Sequence, residues 1–244
     1  MILGLIPSRL NSSRLKNKPL LMIDGLPIIV HTLKRAQLSK KLNKVIVCTD
    51  SKKIVKVVEK NGGEAILTST KHQNGTERIA EIAKRFKPKI IIDIQGDEPL
   101  VDPKDIDKVI NFHSKHKHFD IVVPSMIEKT NPQSKNLVKV VFNKSGKILY
   151  FSRALIPFDF RNNKPKYYKN LSIVSFLPNA LKKFASIKTS YLEKVEGIEL
   201  LRALENNLNL GTFIVKGSSF SVDVNHDLLR AINVMPKDSI RKRY

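Results

Sequence analysis

The 244 residues contain no tryptophan and a single cysteine, Cys48. One cysteine excludes an internal disulfide and fits a reducing compartment, with Cys48 expected as a small buried residue at the end of a strand. No apolar run approaches the roughly 20 residues of a membrane-spanning helix. The apolar start Met1–Ile6 lacks a preceding basic region and is cut short by Pro7 and Arg9, so it does not read as a signal peptide. Glycine is sparse where a phosphate loop would need it: Gly4 alone precedes Gly25. Neither G-x-x-x-x-G-K-[ST] nor G-x-G-x-x-G occurs, which removes the P-loop and the dinucleotide fingerprint.

Acidic residues are also scarce, 22 against 44 lysines and arginines, for a formal net charge of +22. A charge of that size invites a nucleic-acid reading. Lysine, however, outnumbers arginine three to one, whereas planar bidentate recognition of phosphate and base edges favours arginine. The lysines are spread along the chain, with only small groups at Lys40-Lys41, Lys52-Lys53 and Arg241-Lys242-Arg243. A solvated basic surface that attracts polyanionic small molecules accounts for this pattern better than a nucleic-acid footprint.

Short β-rich apolar runs alternate with segments of helical period, which predicts an α/β fold with a largely parallel sheet. Strands are expected at Ile2–Ile6, Lys44–Cys48, Glu64–Leu67 and Ile90–Ile94, the last buried on both faces. Helices are expected at Pro27–Leu38, at Ile54–Lys60 capped by Thr49-Asp50-Ser51, and from a Thr76 cap to Phe86. Beyond Asp102 the pattern predicts a helix from Asp105 to about His116 and strands Ile121–Pro124, Leu137–Asn143 and Lys147–Phe151. The last two flank a hairpin turn at Lys144-Ser145-Gly146. Asp159–Lys169 reads as a basic loop. Strand Ser172–Phe176, helices Ala180–Phe184 and Leu192–Asn206, strand Thr212–Lys216 and a helix from about Asn225 complete the chain. The simplest parse is one domain, 1–244, with a β-containing excursion near 125–170.

Ligands of open α/β sheets bind outside the carboxyl ends of the strands. The loop after the first strand, Pro7-Ser8-Arg9-Leu10-Asn11-Ser12-Ser13-Arg14-Leu15-Lys16-Asn17-Lys18, carries four cations and three serine hydroxyls. Fixed charges at Arg9, Arg14 and Lys18, with backbone N–H groups and hydroxyls between them, suit a polyphosphate. Asp97, in Gln95-Gly96-Asp97-Glu98-Pro99 just past the central strand, can hold Mg²⁺ beside such a ligand, or simply cap a turn. Gly96 would let the backbone approach the ligand. No histidine shows a partner suggesting a triad or metal cluster: His31 sits at an apolar-period helix position, and His72, His113, His116 and His118 lie in polar stretches.

These segments, with Ile23-Asp24-Gly25-Leu26-Pro27-Ile28, Gln73-Asn74-Gly75-Thr76-Glu77-Arg78, Tyr150-Phe151-Ser152-Arg153-Ala154, Leu192-Glu193-Lys194-Val195-Glu196 and Ser221-Val222-Asp223, resemble the 3-deoxy-manno-octulosonate (Kdo) cytidylyltransferases in order over nearly the whole chain. The resemblance implies a Rossmann-like, nucleotide-diphospho-sugar-transferase-type fold and a cytoplasmic homodimer, with the excursion near the dimer interface. It further implies transfer of CMP from CTP to the anomeric hydroxyl of an acidic keto-sugar, with release of pyrophosphate, as the activation step for lipopolysaccharide sugar incorporation. Mg²⁺ is the implied cofactor, held by Asp97 and Asp223.

On the same resemblance Arg9, Ser13, Arg14 and Lys18 hold the triphosphate, while Gly75, Thr76, Arg78 and Gln95 define the cytidine pocket. Arg153, Asn170, Glu193 and Glu196 face the sugar. Asp223 could otherwise be a helix N-cap, and Glu193 and Glu196, three apart on one helix face, could otherwise be solvated. No side-chain nucleophile is expected. The chain departs from the family pattern at Asn170, Val174 and Leu200, where His, Tyr and Gln are usual. A modified octulosonate or another nonulosonate therefore stays open as acceptor, as does a sugar nucleotidyltransferase using another nucleotide.

Overall fold

The computed structural model describes residues 1–12, 14–217 and 219–244. Its main sheet has seven strands in the order β13-β7-β12-β6-β1-β4-β5. These are β1 (Ile2–Ser8), β4 (Lys44–Thr49), β5 (Glu64–Leu67), β6 (Ile90–Ile94), β7 (Ile121–Val122), β12 (Ile173–Phe176) and β13 (Leu210–Gly211). β1 pairs in parallel with both β4 and β6, whereas β12 runs antiparallel to β6 and β7. The sheet is thus largely parallel with one reversed strand, as an α/β fold of this type requires. The expected boundaries hold to within a few residues, except that β1 continues through Pro7 and Ser8.

Strand side chains alternate between two cores. Leu3, Leu5, Ile91 and Phe176 face one layer with α3 (Gly75–Ala83) and α5 (Pro178–Ser186). Ile6, Val47, Ile92 and Ile94 face the other, packed against α1 (Ile28–Gln37), α2 (Lys52–Lys60) and α4 (Pro103–Lys115). Asp93 belongs by alternation to the α3 face, and it is 2% exposed.

A second sheet, order β10-β9-β11-β8, is built from β8 (Ser125–Glu128), β9 (Lys139–Phe142), β10 (Ile148–Ser152) and β11 (Tyr167–Asn170). Two of its strands depart from expectation: β8 was not anticipated, and β11 lies at the end of the segment read as a loop. Antiparallel pairing with β8 supplies the backbone partners that make Tyr167–Asn170 a strand despite its polarity. A small ribbon, β2 (Met22–Ile23) and β3 (Leu26–Pro27), precedes α1.

Three further expectations fail. The helix read over 192–206 is two, α6 (Tyr191–Glu196) and α7 (Leu201–Glu205), because Gly197 takes φ +62 and ends the first. The strand read at Thr212–Lys216 reduces to one bridge from Ser125 to Ile214, and the strand of this segment, β13, lies just before it. Helix α3 is capped by Asn74, whose side chain accepts from Glu77 N at 2.8 Å; Thr76 lies inside the helix. The final helix, α8 (Asn225–Val234), starts where expected. No described helix is long and apolar enough to cross a membrane.

Candidate active site

The carboxyl ends of β1, β4 and β6 lie side by side in the sheet, so the loops that follow them are brought together. They open a cavity of about 320 Å³, a size suited to a small-molecule ligand. Arg9, Arg14 and Lys18 line it from the first loop, Gly75 and Arg78 from α3, and Gln95 and Asp97 from the loop after β6. Asp223 arrives from the segment before α8. Ser13 lies outside the described residues. Its floor is tight: a Cβ on Gly96 would stand 2.7 Å from the Pro7 carbonyl oxygen, and one on Gly75 would be 3.1 Å from the Pro7 ring. Gly96 therefore lets the loop after β6 pack closely against the end of β1, and it also lines the cavity.

Asp97 and Asp223 converge on one cation. Lys18 Nζ donates to Asp97 Oδ2 at 2.5 Å and to Asp223 Oδ1 at 3.2 Å, and Arg14 Nη2 reaches the same Asp223 oxygen at 2.8 Å. Asp223 does not cap α8. That end is tied by Asp227, whose Oδ2 accepts from the backbone N–H groups of Asp223 and Val224. Two carboxylates from separate segments aimed at one positive centre fit Mg²⁺, which takes one or two carboxylates together with phosphate oxygens. Among the described residues no larger His, Cys, Asp or Glu cluster is arranged for a metal.

The supporting contacts include residues that sequence reasoning left without a role. Glu98 is 3% exposed and accepts from Ser221 Oγ at 2.6 Å, while Val222 N donates to Asp97 O at 2.9 Å. These two bonds pin the Asp223 segment against the Asp97 loop. Burial pushes the Glu98 carboxyl up to about 7, against the pull of the Ser221 hydroxyl. Asp50, read as part of a helix cap, instead pairs with Arg78 Nη2 at 2.9 Å and accepts from Leu10 N at 3.4 Å. Arg78 also donates to Thr68 Oγ1, so its nearly buried guanidinium is fixed at the cavity wall.

Asp93 Oδ2 accepts from Gln95 Nε2 at 2.8 Å, orienting the amide that lines the cavity. Burial first, then the charge of Glu199, raises the Asp93 carboxyl well above its ordinary value. Thr76 is buried and does not line the cavity. Nothing in local spacing marks Asp50 or Glu98, because their partners lie tens of residues away.

Two histidine expectations also change. His113 is fully buried, bonded to Ser175 Oγ at 2.6 Å and Phe119 O at 3.0 Å. His72, at the cavity edge, pairs with Glu81 at 2.7 Å.

The residues expected at the sugar are not brought to this cavity. Arg153 donates to the carbonyls of Glu196, Lys135 and Gly197 at 2.8, 2.9 and 3.2 Å. Glu196 accepts from Ser152 Oγ at 2.6 Å and Arg153 N at 2.8 Å. Glu193 forms a two-point pair with Arg202, at 2.7 and 2.6 Å. Neither glutamate forms a solvated face, because each meets an internal donor. Asn170 ends β11 opposite Ser125, away from the cavity lining.

A family model described as cytidylyltransferase matches residues 3–211. The chain belongs to the cytidylyltransferase family. Within reach of that family, a 3-deoxy-manno-octulosonate cytidylyltransferase of Rickettsia canadensis (strain McKiel) is 39% identical over 233 residues, 93% of each chain. One so named from Leptospira biflexa serovar Patoc is 37% identical over 98% of each chain. A solved structure of CMP:2-keto-3-deoxy-manno-octonic acid synthetase complexed with CTP superposes with a TM-score of 0.92 at 31% identity. That match covers 97% of this chain and 98% of the other. A cytidylyltransferase from Leptospira borgpetersenii, at 17% identity and TM-score 0.68, shares the fold. Both superposed structures share this chain's fold, and the expected fold type holds.

Proposed function

We propose that the chain transfers CMP from CTP to the anomeric hydroxyl of 3-deoxy-manno-octulosonate and releases pyrophosphate, activating the sugar acid for lipopolysaccharide assembly. The observation that carries this reading is the meeting of Asp97, Asp223, Lys18 and Arg14 at the mouth of a cavity at the strand ends. The names of relatives 37–39% identical over nearly the whole chain support the substrates.

In this reading Arg9, Arg14 and Lys18 bind the triphosphate and offset charge on the leaving pyrophosphate. Gln95, held by Asp93, and Arg78, held by Asp50, bound the nucleoside end. Asp97 and Asp223 would hold Mg²⁺, which supplies phosphate charge stabilisation and a more acidic sugar hydroxyl. The hydroxyl attacks the α-phosphorus in line, so the protein's part is positioning and electrostatics with no side-chain nucleophile.

We further propose one catalytic domain that pairs through its four-stranded sheet. The exposed Leu149, Phe158 and Phe160 on that sheet and its loops, the last 86% exposed, support such pairing. A cytoplasmic site of action accords with a lone, buried Cys48.

Pyrophosphate release from CTP, Mg²⁺ and Kdo is the direct test. Turnover is expected for the native chain, and its loss in a folded Asp97→Ala variant. Absence of pyrophosphate with every keto-sugar acid offered would overturn the reading. Because Asn170, Val174 and Leu200 depart from the family pattern, the panel includes modified octulosonates and nonulosonates; preference for one of these would keep the chemistry and change the acceptor.

A further inference from the structure

The cation between Asp97 and Asp223 is the chain's own. Lys18 Nζ is within hydrogen-bond reach of both carboxylates, and Arg14 shares Asp223 with it. The Lys18 side chain is only 13% exposed, and Asp97 and Asp223 are 26% and 28% exposed. Its backbone is held by a 3₁₀ turn: Lys18 N donates to Leu15 O, and Leu21 N donates to Lys18 O. From that anchor a flexible four-carbon stem can move its ammonium while the loop stays in place.

Two carboxylates and two basic groups make an electrically balanced cluster. A free divalent ion entering it has to displace the ammonium and leave Lys18 without its partners in a partly desolvated place. A triphosphate changes that balance, because its oxygens offer Lys18 and Arg14 new anionic partners and thereby free the aspartates.

We infer that Lys18 is an internal place-holder which closes the Asp97–Asp223 pair to free divalent ions and releases it when a nucleoside triphosphate arrives. Metal and nucleotide then bind with positive coupling, and linkage requires the coupling to be equal in both directions. The inference rests on the triphosphate reading of the same site, and it gives Lys18 a positioning role earlier than chemistry.

The test is Mn²⁺ binding to the full chain, followed by the paramagnetic resonance of the free ion without nucleotide. Lys18→Met removes the ammonium and keeps the length of the stem. It is expected to tighten Mn²⁺ binding by about tenfold or more, within the usual range of coupling energies. Adding Asp223→Asn to that variant should abolish the gain, which locates the new site. Lys18→Gln repeats the measurement should Lys18→Met fail to fold by circular dichroism. Unchanged or weaker Mn²⁺ binding in a folded variant overturns the inference. Turnover of CTP by the native chain is measured separately, so turnover without any gain in Mn²⁺ affinity sinks the place-holder alone. A gain without turnover upholds the closure of the pair to free ions and removes the transferase reading.

Discussion

Replacing Glu193 by Gln separates a structural role from a substrate-binding one. Arg202 is 1% exposed and meets both Glu193 oxygens, while its remaining Nη1 donates to Ile187 O at 3.1 Å and its guanidinium lies over the Phe184 ring at 5.1 Å. Hydrogen bonding to Glu193 raises the Arg202 pKa, and without that partner the guanidinium still stays charged, because its intrinsic basicity keeps it protonated at neutral pH. Removing one partner of a buried pair costs about 3–5 kcal/mol, because the other charge is left without compensation. The amide of Gln retains one acceptor, which places Glu193→Gln near the lower end, about 3 kcal/mol. In a chain of this size each kcal/mol lowers Tm by about 2–4 °C, giving an expected fall of roughly 6–12 °C.

The assay is a calorimetric melt alongside kcat/KM for the sugar acid well below Tm. Activity per folded molecule should be nearly unchanged. The double variant Glu193→Leu/Arg202→Met should be more stable than Glu193→Gln, since it leaves no orphaned charge. A KM for the sugar raised about tenfold with Tm unmoved would refute this reasoning and return Glu193 to the substrate.

Two further outcomes follow from titration and burial. Burial alone would raise the Glu128 carboxyl, but the Thr130 hydroxyl, the N–H groups of Thr130 and Asn131, and Lys169 outweigh it and lower the pKa to about 2. A depressed acid stabilises the fold above its unfolded value and loses that contribution as pH falls from about 4.5 towards 2, at most about 3 kcal/mol. Urea unfolding should therefore show Glu128→Gln less stable than the native chain at pH 7 and the gap narrowing at pH 3; a constant gap counts against the assignment. Cys48 is fully buried, and burial, reinforced by Asp93, pushes its thiol far above the ordinary range. Mass spectrometry should find it unmodified by iodoacetamide at pH 8 until the chain is unfolded, and rapid native labelling would contradict the packing.

Much of the fold was legible because the relevant forces are local. Near-continuous apolar runs at Ile2–Ile6 and Ile90–Ile94 can be buried on two faces only in a covered sheet, and β1 and β6 follow. The polar strand β11 and the break at Gly197 were not legible in this way. The first depends on edge pairing with β8, and the second on one residue's left-handed backbone inside an otherwise helical pattern.

For the site, the sequence by itself determined the chemistry available: a basic loop after the first strand, an acid after the central strand, and a second acid near the end. Only the tertiary structure decided which charges meet. Lys18 finds Asp97 79 residues away and Asp223 205 residues away, and the same folding turns Glu193 and Glu196 inward to Arg202, Ser152 and Arg153. Propensity and periodicity act over a few residues along the chain. An ion pair depends on distance in space and on the water removed around it, and folding sets both.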